Sequence, residues 1–440
     1  MVKGQAQVVQ ASELERILRI GLGRAILFLR SNDARPYRDA ILSACVHCST
    51  YDHQSEGSRV QYLRDIIRET KEEVLYRTEI TSALPASSHD DDMEQLFDLA
   101  LAFAKEGDER ARRAMYAKFA ENAAQGITTG AWQLIELDKA EGLLFITERF
   151  GEYAQADDKF WDDRGLIRLA EEQVGAERLQ ATLQLARSRN AQIAKYLEVV
   201  EKTEQRAAAY LESDRFDLTS LSYDELKQHI TEHTATDQRF LLGRWGEKAD
   251  DESIERAARD LLEQDSNGPL LSYVRIFSRR TFPLNPGRLI SLARHPDEEI
   301  ASAALRALSN VGHPEVRKLG LELLNISPVP NFATALLIKN CQSGDHELVA
   351  HVIERERQDV DALHSLGLWT RDIVEANPTP EWSDVLLTIY EHGPCSLCRM
   401  HFIDLLRSLG NLPNWVIQEC LCDANLELRG KAQSYRSNEL

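Results

Sequence analysis

Residues 295–324, HPDEEIASAALRALSNVGHPEVRKLGLELL, state one phrase twice, and this duplication constrains the fold more than any other feature of the chain. His-Pro is followed by acid and an apolar pattern; His-Pro and acid then return ahead of a second one. Ile300, Ala304, Leu305, Leu308 and Val311 fall on one stripe of a helix, and Val316, Leu319, Gly320, Leu323 and Leu324 on another. Pro296 and Pro314 are expected in the first turns, where a missing N–H costs nothing. Asp297, Glu298 and Glu315 follow where the helix dipole favours carboxylates. Short helices of this kind cannot bury a stripe alone, whereas stacking pair upon pair can.

Weaker versions recur. EGDERARRAMYAKFAEN aligns Ala111, Met115 and Phe119; SGDHELVAHVIERE aligns Leu348, Val352 and Ile353; DANLELRGKAQSY aligns Leu428, Ala432 and Tyr435 behind Asn425. Helical periodicity also runs through 11–31, 36–48, 56–84, 91–121, 131–150, 159–201, 222–263, 267–278, 286–294, 329–341, 359–375 and 380–391. Period-two alternation bounded by turn dipeptides does not stand out, so strands are not required. The expected class is all-α: an α-solenoid of stacked antiparallel helix pairs with a more irregular N-terminal half.

At residues 295–324 the phrase resembles the HEAT and armadillo families of α-helical repeats, which also open units with a proline and an acidic residue. The resemblance is best over about residues 285–440. It departs from the HEAT pattern where an arginine is usual in the second helix: Ala301 and Ser302 stand there in the first unit, Arg317 in the second. A compact, non-repetitive helical bundle is the alternative architecture.

The chain has room for several domain-sized cores or one long repetitive one. LESDRFDLTSLSYDELKQH loses periodicity between Ser213 and Ser222. The expected division is therefore an irregular helical region over 1–212 and a HEAT-like region over 213–440. NISPVPNF (325–332) reads as an inter-repeat loop.

A formal charge of −19 repels phosphate backbones at long range and argues against a general nucleic-acid binder. ILRIGLGRAILFLR carries Arg19, Arg24 and Arg30 and is neither a signal peptide nor a membrane span. Seven cysteines without a framework spacing suit a reducing compartment, so a cytoplasmic location is expected.

Two cysteine clusters raise a metal question. GPCSLCRMHFIDLLRSLG places Cys395, Cys398 and His401 at C-x2-C-x2-H, with Cys420 and Cys422 further on. Thiolates and an imidazole so spaced could hold zinc. Alternatively Cys398, Phe402, Leu405, Leu406 and Leu409 form one helical stripe with Cys395 a turn back, and the cysteines are core. Cys45, His47, Cys48 and His53 pose the same choice; there the histidines read as surface residues. Core packing is the simpler reading of both, so no cofactor is expected.

Catalytic templates do not stand out. RIGLGRAI has Gly21 and Gly23 but lacks a third glycine and a preceding strand, and no P-loop, H-E-x-x-H or G-x-S-x-G occurs. His346-Glu347 alone is too little for the dyad-based metal oxygenases built on helical repeats.

The remaining feature is electrostatic. From Ser266 to Pro296 the chain has no Asp or Glu, while Arg275, Arg279, Arg280, Arg288 and Arg294 fall there, with Tyr273, Phe277 and Phe282 between them. Forked guanidinium donors beside aromatic faces could anchor carboxylate or phosphate; alternatively the arginines pair with acids on neighbouring helices. The expectation is a non-enzymatic scaffold whose partner is another protein, or an acidic or phosphorylated segment, engaged through this stretch, with no membrane partner. Two alternatives stay open: a nucleic-acid-acting protein like the helical-repeat DNA glycosylases, and a zinc-dependent function at the C-terminal cysteines.

Overall fold

The computed structural model describes residues 10–157, 159–212, 217–232 and 239–437. Among them every regular element is an α-helix or a short 3-10 turn. None of the described helices is long and apolar enough to cross a membrane. The chain divides into two compact units, Met1–Arg215 with Trp415–Leu440, and Phe216–Asn414. The division expected after 212 borders residues 213–216, which lie outside the described residues.

In the first unit the Ala140–Ala156 helix packs along Ala191–Glu212, where Phe150 stacks on Tyr196 with centroids 6.2 Å apart. The last two helices belong to this unit too. Asn425 accepts a hydrogen bond from the Leu428 amide (3.0 Å) and starts the Leu426–Ser437 helix, which buries Leu428, Ala432 and Tyr435 as their spacing requires. The Ala424 amide donates to the Gly21 carbonyl (2.9 Å), Arg429 bonds Asp65 (2.7 Å), and Arg24 pairs with Glu419. Both ends of the described chain therefore share one packing surface.

The second unit contains the repeated phrase. Both of its helices form, over Glu298–Leu308 and Pro314–Leu324, and bury Ile300, Ala304, Leu305, Leu308, Val316 and Leu319. The two histidines make the same local bond: His295 Nδ1 accepts from the Asp297 amide (3.1 Å) and His313 Nδ1 from the Glu315 amide (3.2 Å). The helices nevertheless start differently. His313 is itself the N-cap, so Pro314 opens its helix as expected. In the first phrase Asp297 caps instead, accepting from the Glu299 and Ile300 amides, and Pro296 is left outside the helix.

Several expected stretches fold differently. The 91–121 pattern splits at Gly107 (φ 94°), after which Asp108 caps the Glu109–Ala123 helix. The 329–341 pattern yields only a 3-10 turn over Thr334–Leu337. Pro330 and a left-handed Phe332 (φ 67°) precede that turn, and an aromatic residue held there carries backbone strain of order 1–3 kcal/mol.

Candidate functional site

A groove of about 320 Å³ opens on the second unit. Its floor and one wall come from the Glu298–Leu308 helix: Glu299, Ser302, Ala303 and Arg306 recur at i, i+3, i+4 and i+7 and so face away from the Ile300–Leu308 core stripe. The opposite wall is Arg275, at the end of the Asn267–Ile276 helix, with Ser278 and Arg279 in the turn after it. Asn310 fixes that turn, its amide donating to the Phe277 and Ser278 carbonyls at 3.3 Å each. Phe240 and Phe332 complete the lining.

Phe240 is brought there by close backbone packing. A Cβ at Gly246 would stand 2.1 Å from the Ile276 carbonyl oxygen, so only glycine lets the Arg239–Lys248 helix lie this close to its neighbour. Phe240 is on that helix and remains 57% exposed. Phe332 has two close neighbours: the Arg306 guanidinium lies 5.7 Å from its ring centroid, and the Trp369 ring stands 4.8 Å away, tilted. The left-handed backbone at residue 332 thus projects an aromatic ring to where a guanidinium can cover it.

Three guanidiniums line the groove against the single carboxylate of Glu299. Arg275 is buried and bonded to Glu299, a fixed part of the wall. Arg279 is 40% exposed and only loosely matched to Glu247 at 3.4 Å. An exposed pair of this kind is worth no more than about 1 kcal/mol, so an incoming carboxylate can exchange for Glu247 at small cost.

The acid-free stretch is distributed differently from its reading in sequence. Tyr273 and Phe277 are buried in the unit's core, with Phe282, and offer no stacking face. Each arginine of the stretch meets an acid from outside it: besides Arg275 with Glu299 and Arg279 with Glu247, Arg280 pairs with Asp251, Arg288 with Asp265 (3.1 Å) and the Gln264 carbonyl (2.6 Å), and Arg294 with Glu322 (2.6 Å). Arg275 and Arg279 line the groove; Arg280, Arg288, Arg294, Tyr273 and Phe277 are not among its lining residues. Arg306, Phe240 and Phe332 were not singled out by sequence. Arg306 carried a signal, the solvent-side stripe at 299, 302, 303 and 306, whereas nothing in the sequence links Phe240 to a helix sixty residues away.

The C-terminal cysteines are sorted by the two units. Cys420 and Cys422 belong to the first and the C-x-x-C pair to the second. Around that pair the donor atoms of His364, Cys395 and Cys398 lie within 4.8 Å of one another; His401 is not part of the group. Cys395 is the N-cap of the Ser396–Ser408 helix, and its sulfur accepts from the Cys398 amide at 3.4 Å. His364 arrives from the Val360–Ala376 helix, with Nε2 3.3 Å from Cys398 Sγ. One turn further along each helix, a Cβ on Gly367 would stand 3.1 Å from the Phe402 ring, and this close helix crossing brings His364 to Cys398.

The N-terminal cluster does not converge in this way. Cys45 is fully buried, and desolvation pushes its thiol up to about 12, so it stays a neutral packing group. His47 is exposed and meets Asp92 at 3.0 Å, Asp92 also accepts from the Cys48 amide, and His53 lies 3.9 Å from Glu94. Comparison with known protein families, curated proteins and solved structures finds no match, so any function assigned to the chain rests on this geometry.

Proposed function

We propose that the chain is a non-enzymatic, HEAT-like helical-repeat scaffold of the cytoplasm that binds an acidic or phosphorylated segment of a protein partner in the second unit's groove. The observation that carries this reading is the lining: Arg275, Arg279 and Arg306 beside Phe240 and Phe332. Forked donors suit carboxylate and phosphate, and the rings give an apolar side chain between the acidic positions a place to rest. The rest of the surface, on a chain of net charge −19, repels the same ligand and confines it to the groove.

The test is an array of acidic and phosphoserine peptides probed with the full chain, alongside a labelled DNA duplex. Binding to acidic peptides containing an aromatic or aliphatic residue, abolished in Arg279→Glu/Arg306→Glu, is the expected result. Equal binding by wild type and variant removes the groove from the reading, and retention of the duplex alone replaces the protein partner with nucleic acid.

A further inference from the structure

We infer that His364, Cys395 and Cys398 form a zinc site, a three-ligand centre independent of the groove. The geometry suits the ion. Zinc–sulfur bonds of about 2.3 Å and zinc–nitrogen bonds of about 2.0 Å in a tetrahedron place sulfur about 3.5 Å from nitrogen and about 3.8 Å from sulfur. Here His364 Nε2 stands 3.3 Å from Cys398 Sγ, and the three donor atoms lie within 4.8 Å of one another. The Cys398 amide donates to Cys395 Sγ in the first turn of a 13-residue helix and fixes that sulfur beside the Cys398 and His364 donor atoms. Thiolate and imidazole donors select zinc over magnesium or calcium.

Charge also balances. One Zn²⁺ with two thiolates and a neutral imidazole makes a complex of zero net charge, which a buried Cys395 can accept without an unpaired ion. Binding displaces a proton from each thiol, two per ion if both begin protonated. Three protein ligands leave one tetrahedral position, and the partial exposure of His364 and Cys398 lets water fill it. The ion ties the Val360–Ala376 helix to the start of Ser396–Ser408, two elements joined otherwise by packing at Gly367.

The same 3.3 Å also suits a plain hydrogen bond between Cys398 and His364, and two cysteines this close could form a disulfide. The experiment separates these. Full-length protein purified in reducing buffer is analysed for zinc, then stripped and titrated with cobalt(II). Expected are one zinc per chain, a near-ultraviolet sulfur-to-cobalt charge-transfer band, and the intense visible bands of tetrahedral cobalt. Cys395→Ser and Cys398→Ser should each weaken the charge-transfer band and the double variant lose it, and His364→Ala should lose the tetrahedral visible bands, while His401→Ala and Cys422→Ser retain both. Substoichiometric zinc with no charge-transfer band in the wild type overturns the proposal, whatever the variants do. So does a wild-type spectrum unchanged in His364→Ala, or a Cys395–Cys398 disulfide in protein isolated under reducing conditions.

Discussion

Arg317 grips Asp345 across the step between two successive helices, with its two terminal nitrogens 2.7 and 2.8 Å from the two carboxylate oxygens. The same guanidinium donates to the Asn340 carbonyl (2.8 Å), and Asp345 accepts from the Gln342 amide (2.7 Å). The pair is largely buried, so removing one partner strands the other's charge. Arg317→Met should cost about 3 kcal/mol in denaturant unfolding, and Arg317→Met/Asp345→Leu should recover much of it. Equal losses in single and double variants would mean that the pair's charges are not the source.

Asp162 predicts a pH dependence. Burial raises its carboxyl above the usual range, against the Tyr196 hydroxyl and Asp163 amide that bond the charged form. Because the folded pKa is the higher one, the group favours folding below the unfolded aspartate pKa of about 4, and that contribution is lost as pH rises through the folded value. Asp162→Asn should therefore raise the Tm at pH 7, with the gain vanishing as pH falls below about 4. A gain independent of pH would remove ionisation as the cause.

Two glycines should respond in opposite senses to the same methyl group. A Cβ at Gly23 would lie 1.9 Å from the Glu419 carbonyl oxygen, a backbone atom that cannot swing aside. Gly23→Ala should cost about 1–3 kcal/mol and expose the Trp415–Leu440 segment to limited proteolysis. Gly430, within the Leu426–Ser437 helix, has nothing within 4 Å of its Cβ position, and Gly430→Ala should stabilise by about 0.5–1 kcal/mol. The comparison is read from two unfolding curves and one digest.

Helix composition was legible because stripes such as Ile300–Leu308 and Leu428–Tyr435 follow from spacing alone. Arg317 could be singled out in the sequence, and its partner could not, because Asp345 lies on the next helix. The arginine-rich stretch leaves two readings open in the sequence for a related reason. A run free of acids says nothing about acids delivered by neighbours, and Glu247, Asp251, Asp265, Glu299 and Glu322 all come from outside it. Tyr273 and Phe277, interleaved with arginines in sequence, are buried in the core. The C-x-x-C pair is visible in the sequence with His401 as a candidate partner; the structure instead brings His364, 34 residues away, beside Cys398 at the helix crossing near Gly367.

The central claim, that the groove holds an acidic segment between its arginines and aromatic rings, is tested most directly by titrating the best acidic peptide from the array into wild type, Arg279→Glu/Arg306→Glu and Phe240→Ser at two salt concentrations. The account predicts at least about tenfold weaker binding for the charge-reversed variant, with most of the salt dependence lost, and a smaller, salt-independent loss for Phe240→Ser. Affinities unchanged in both variants would contradict it.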